Sequence, residues 1–124
     1  MYLIVIVRSQ DKSVVELERQ ILGTDHMEIG AWLMRSWNLQ AEIQVAVAEH
    51  HDELYNGVHA SYARLALLAD RLLKRHGIGD AESTELPESL LSSLGITAQQ
   101  AGDQLENIIN SAHDLDLLAQ QFAA

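Results

Sequence analysis

Three short stretches hold the side chains best suited to chemistry: Gly23-Thr24-Asp25-His26-Met27-Glu28-Ile29-Gly30, the run Glu49-His50-His51, and Asp70. Each places an ionisable group on or near the apolar face of what reads as a separate helix. Burying such a group is costly unless it is paired or ligating. Neutral imidazoles and a carboxylate together suit borderline cations such as Zn, Fe, Mn or Ni. Helical bundles build metal sites from side chains on facing helices. His26, His50, His51 and Asp70 are therefore the candidate metal ligands, with one of the paired histidines sufficient for the set. The same residue types also make a hydrogen-bonded core cluster, and sequence does not separate the two.

Local alternatives exist for each. His26 lies one residue past a helix cap and can hydrogen-bond near the helix start. His50 and His51 close a helix, where an imidazolium interacts favourably with the macrodipole. Asp70 is harder to account for, because an unpaired buried carboxylate is expensive. The dipeptide His51-Asp52 sits at a helix end just before a turn, a poor place for a catalytic pair. His59, His76 and His113 read as surface or helix-end residues, and Trp32 and Trp37 as core. Arg64, Arg71, Lys74 and Arg75 are the chain's only concentration of positive charge and read as a solvated face.

The elements that must position these groups are helices. The single proline is Pro87, and β-branched runs are confined to the first fifteen residues. A first helix spans Ser13 to Leu22, with Gly23 a natural stop. A second starts near Asp25, where Asp25 and Glu28 have capping-box spacing, and ends at Asn38. His26, Ile29, Gly30, Leu33 and Trp37 share one of its faces. A third runs from Ala41 to His51, with Ile43, Ala46, Val47 and His50 as its stripe. Residues 52–60 form a loop around the Asn56-Gly57 turn. A fourth helix covers Ser61 to His76, with Tyr62, Ala66, Ala69, Asp70 and Leu73 on one side, and Gly77 and Gly79 break it. Residues 77–86 are a polar linker. Pro87 opens a short helix that ends near Gly95. Thr97 caps a last helix to Phe122, with Ala101, Leu105, Ile108, Ile109, Ala112, Leu115, Ala119 and Phe122 as its stripe. At ~1.5 Å per residue that helix is roughly 35–40 Å long, long enough for its far end to lie on a partner subunit.

Bulk properties narrow the field. The chain has 124 residues, 48% hydrophobic, which suits one domain with a core over 1–124. Eight Lys and Arg against 18 Asp and Glu give a net charge of −10. Duplex nucleic acid and anionic lipid both need a basic footprint, so neither is an expected partner. Without cysteine there are no disulfides, thiolate metal sites or thiol catalysis, which fits a cytoplasmic home. The apolar opening Tyr2-Leu3-Ile4-Val5-Ile6-Val7 is too short to span a membrane and lacks the features of a secretory signal. Its structure, strand or buried helical turn, is undecided over 1–13, and it reads as core that has lost or swapped its neighbours.

Gly23-Thr24-Asp25-His26-Met27-Glu28-Ile29-Gly30-Ala31, Trp37-Asn38-Leu39, Ala48-Glu49-His50-His51 and Leu67-Leu68-Ala69-Asp70, in this order and spacing, resemble the HDOD (HD-related output) domain of bacterial signalling proteins. The resemblance covers roughly residues 14–122 and is to the second half of that domain. It implies an all-α, HD-domain-like helical bundle, here partial, with five to six helices over 14–76 and 87–122. By position His26 resembles the His that follows the metal dyad of HD-GYP phosphodiesterases, His50 and His51 their paired His, and Asp70 their late Asp. The His-Asp dyad itself and the Gly-Tyr-Pro signature have no counterpart, and Gln40 stands where Pro is usual. HD-type hydrolysis uses bound metal to generate hydroxide and polarise phosphate, so the resemblance implies a vestigial site, no catalysis and no required cofactor.

The expectation is a non-catalytic signal-transduction domain acting through a protein partner, and a homo-oligomer with helices exchanged between chains. The competing reading is a metal-dependent phosphohydrolase acting on a nucleotide or cyclic dinucleotide, or a fragment of one. A third is a nucleotide-binding sensor without turnover.

Overall fold

The computed structural model describes residues 12–123. The expectation for the apolar opening falls mostly outside them. The described residues are all-α, with six helices and no strand: α1 Val14–Leu22, α2 His26–Ser36, α3 Ala41–Glu49, α4 Ala60–Lys74, α5 Glu88–Leu94 and α6 Ala98–Phe122. The chain divides into two compact units, Met1–Glu85 and Leu86–Ala124. No helix among the described residues is long and apolar enough to cross a membrane.

Local chemistry sets the helix ends. Ser13 caps α1 through a full capping box: its Oγ accepts from the Glu16 N–H at 3.2 Å, and the Glu16 carboxylate accepts from the Ser13 N–H at 3.0 Å. Gly23, at φ +72°, takes the left-handed conformation that stops α1. Asp25 caps α2 by accepting from the Glu28 N–H at 2.9 Å. The return half of that box is missing, because the Glu28 carboxylate accepts from Thr24 Oγ1 instead. α2 ends at Ser36, and Asn38 at φ +55° turns the chain toward α3. In the second unit Pro87 and Gly95 bracket α5, and Thr97 with Gln100 forms a complete capping box on α6.

In the first unit α2 packs on α3 and α3 on α4. The α2–α3 approach is close because Gly30 has no side chain: a Cβ there would stand 2.5 Å from Val47 Cγ1. Among the described residues of this unit the buried apolar ones are Val15, Leu17, Ala63, Leu67, Leu68, Leu72 and Ala81.

Burial corrects three expectations. Trp32 and Trp37 are not core; they are 62% and 65% exposed. Trp32 lies on α2, a helix with no fully buried residue, and Trp37 caps its C-terminus. On α4 the buried face is Ala63, Leu67, Leu68, Arg71 and Leu72, while Tyr62 and Ala69 face solvent. Arg71 is thus no part of a solvated basic face. Its guanidinium donates to the Glu53 carboxylate at 2.7 Å and to the Glu85 carbonyl at 3.0 Å. Pairing makes a buried guanidinium tolerable, and here it ties the 52–59 loop and the segment after α4 to the helix. His76 and His113 are exposed, as expected.

Candidate metal centre

Four donor atoms from four chain segments converge in the first unit. His26 starts α2, His50 and His51 follow α3, and Asp80 follows α4. His26 Nε2 lies 3.3 Å from His50 Nε2, 3.2 Å from His51 Nε2 and 3.2 Å from Asp80 Oδ2. His51 Nε2 lies 3.1 Å from the same Asp80 oxygen. All four donor atoms fall within 4.8 Å of one another. Around a tetrahedral ion with bonds of about 2.0–2.1 Å, adjacent ligand atoms are roughly 3.3–3.4 Å apart, close to these separations.

The far side of each ring fixes which nitrogen faces the centre. The His26 Nδ1–H and backbone N–H both donate to Glu18 Oε2, at 2.8 and 3.0 Å. The His50 Nδ1–H donates to the Val47 carbonyl at 2.8 Å. His51 Nδ1 faces Asp70 Oδ2 at 4.0 Å, a buried carboxylate oxygen with no hydrogen-bond partner among the described residues. Hydrogen bonds that hold the Nδ1 proton leave the Nε2 lone pair free, the usual support of a metal-bound imidazole. The two lone pairs of His26 and His50, the His51 Nε2 and the Asp80 oxygen stand too close to share one spot unless a cation or an added proton lies between them, and without a cation that proton is the one His51 Nε2 donates to Asp80.

The same contacts shift the ionisation of each group. The hydrogen bond to Asp80 raises His51 above the usual imidazole range, against the opposing effect of burial. Burial lowers His50, helped by the neighbouring imidazoles. The same His51 bond holds the Asp80 carboxyl far below the ordinary carboxylate range. Burial raises Asp70, and the neighbouring Asp80 carboxylate adds to that. At the entrance to α2, burial works to raise Asp25, but the Glu28 N–H and the Arg19 guanidinium at 2.8 Å outweigh it and hold the cap ionised.

Both paired histidines reach the centre, where one was expected to suffice. Asp70 stands one layer out, behind His51, and the carboxylate at the centre is Asp80. Asp80 lay unmarked in the polar linker, and its signal is Gly77-Ile78-Gly79 just before it. Gly77 and Gly79 take φ +73° and +89°, and a Cβ on Gly79 would stand 2.7 Å from Asp70 Oδ1. Only glycine lets the chain return this closely over α4 and aim Asp80 at the histidines. Glu18 was also missed. It sits three residues after Val15, on the buried side of α1, so the criterion that singled out Asp70 would have found it.

The HDOD domain family matches residues 2–53. That HDOD segment carries Glu18, His26, His50 and His51 and stops before Asp70 and Asp80. The chain is also similar to the crystal structure of a candidate signal transduction protein from Marinobacter aquaeolei VT8, with 23% identity and a TM-score of 0.72 over 86% of this chain and 24% of that one. The likeness establishes the fold, and this chain spans about a quarter of that protein's length. None of the curated proteins compared matches the chain.

Proposed function

We propose that this chain is a non-catalytic HDOD-like regulatory domain of a signalling protein, that His26, His50, His51 and Asp80 hold one divalent metal ion, and that it acts on a protein partner. The observation that carries the metal reading is the orientation of the three rings. Each Nε2 faces the others across 3.2–3.3 Å from His26 or lies within the 4.8 Å group, while Glu18, Val47 and Asp70 face the Nδ1 sides. Three imidazoles and one carboxylate make a set suited to Zn²⁺.

Two features favour regulation over turnover. Four protein donors fill a tetrahedral shell, whereas catalytic zinc keeps one position open for water. The surroundings are also acidic. Glu18, Asp70, Asp80 and Glu82 act on or lie against the histidines, and the nearby Arg19 is bonded to Asp25. A phosphodiester would meet repulsion there. The likeness to a candidate signal transduction protein from Marinobacter and the HDOD match over residues 2–53 support a signalling role.

Metal content of the tag-free protein, measured by plasma mass spectrometry after dialysis against equimolar Zn²⁺, tests the proposal. The expected result is about one Zn per chain, lost in His26→Ala and in Asp80→Ala. Folded protein that retains no metal would overturn the metal reading and leave the cluster held by a protonated His51 on Asp80. Metal-dependent cleavage of bis(p-nitrophenyl) phosphate, abolished in His26→Ala, would overturn the non-catalytic reading.

A further inference from the structure

The last helix carries a feature that the metal cluster does not use. Along α6 the residues Ala101, Leu105, Ile108, Ala112, Leu115, Ala119 and Phe122 recur in alternating steps of four and three. That 3.5-residue period is the seam of a left-handed coiled coil. Only its first two members, Ala101 and Leu105, are buried. Ile108, Leu115 and Phe122 are 62%, 65% and 87% exposed, and Ala112 and Ala119 are exposed between them.

We propose that this seam pairs with α6 of a second copy of the chain, as an antiparallel coiled coil. Two observations select that occupant. The first is charge. Residues 86–124 contain no Lys or Arg. The positions flanking the exposed seam, which set partner choice in coiled coils, are Ser111 and Leu118 on one edge and Ile109 and Asp116 on the other. The remaining acids, Asp103, Glu106 and Asp114, lie on the back of the helix. A basic partner would find little charge along these edges to engage, and an identical helix meets almost no like charge.

The second observation is size. In an antiparallel pair, Ala112 of one protomer lies opposite Leu115 of the other, and Ala119 opposite Ile108. The four layers built wholly from exposed residues then each join one small and one large residue. Phe122 of each protomer reaches the level of Leu105 of the other. The two Asp116 carboxylates stand roughly 7 Å apart along the axis. A parallel pair would stack Ala112 on Ala112 and Ala119 on Ala119, leaving underfilled layers that close packing penalises.

The test uses the full chain. Gel filtration with light scattering at tens of micromolar should give twice the 13.8 kDa chain mass. Leu115→Asp should weaken self-association by about a hundredfold or more, because each dimer loses two buried leucines. Its far-UV circular dichroism should stay unchanged, since Leu115 is exposed within one chain. The protein has no cysteine, so Ile108→Cys/Ala119→Cys should form disulfide-linked dimers on mild oxidation while Ile108→Cys alone does not. A monomer at that concentration, a dimer indifferent to Leu115→Asp, or efficient cross-linking of Ile108→Cys alone would each overturn the proposal. The metal reading has a separate outcome, because His26→Ala leaves α6 and its seam intact.

Discussion

Replacing Gly30 with Ala tests whether the α2–α3 approach holds the metal centre. The added Cβ would stand 2.5 Å from Val47 Cγ1, where ordinary contact begins at 3.4 Å, so the two helices must separate by about 1 Å locally. Val47 cannot readily turn aside, because a β-branched side chain in a helix has one strongly preferred rotamer. Overpacking of this kind costs about 1–3 kcal/mol. Against it stands the helix-forming advantage of Ala over Gly, about 1 kcal/mol. With a contact this short the clash wins, and the net loss is about 1–2 kcal/mol. For a unit of this size that lowers the melting temperature by roughly 5–10 °C.

The same substitution reaches the histidines. Gly30 lies one turn after His26. Val47 lies one turn before His50, and its carbonyl holds the His50 ring. Spreading α2 from α3 therefore lengthens the 3.3 Å separation of their Nε2 atoms, and metal sites tolerate only about 0.5 Å of such error. Thermal melts with and without Zn²⁺ should show a lower apo midpoint and a smaller Zn²⁺-induced rise. Adding Val47→Ala should recover about 1–2 kcal/mol as a coupling term in the double-mutant cycle. A Gly30→Ala protein as stable as the parent, or more so, would refute the reasoning, because helix propensity would then act unopposed.

Three further outcomes follow from the layer around the centre. Glu18→Gln and Asp70→Asn should keep one metal per chain but weaken Zn²⁺ affinity about 10–100-fold, measured by competition with a chromogenic chelator. Asp25→Ala removes the α2 cap and the Arg19 partner, and should cost about 0.5–2 kcal/mol in urea unfolding with no change in metal stoichiometry. Gly79→Ala forces a side chain into φ +89° and against Asp70; it should cost about 1–3 kcal/mol and lower Zn²⁺ affinity, and a variant with parental affinity would show that the 77–80 turn does not position Asp80.

Helix ends were legible in the sequence because they are written in neighbouring residues. Ser13 with Glu16, Gly23, Asp25, Gly95 and Thr97 with Gln100 satisfy or terminate backbone groups within a few positions. Burial was less legible because it depends on what arrives from elsewhere. Trp32 and Trp37 have the composition of a core and lie on an open face. Arg71 has the composition of a surface residue but is buried and paired with Glu53, eighteen positions away. The candidate site shows the same split. Histidines on three-residue and four-residue apolar spacings pointed inward by pattern. Asp80 had no helix to give it a face, so only the backbone return through Gly77 and Gly79 reveals it.

The use of two consecutive histidines has a physical reason that pattern alone hides. Consecutive residues in a helix diverge by about 100° around its axis, so two adjacent rings aim at one ion less readily from within α3 than from the turn beyond it. The helix ends at Glu49, and His50 and His51 occupy the turn beyond it. Ending there exposes carbonyls that would otherwise bond to the next turn. The His50 Nδ1–H takes one of them, that of Val47, at 2.8 Å. A single hydrogen bond thus satisfies the helix terminus and fixes the His50 ring with Nε2 toward His26. The ending of α3 and the assembly of the centre are one structural event, and a change that prolongs α3 past Glu49 should cost the centre a ligand even though every donor residue is retained.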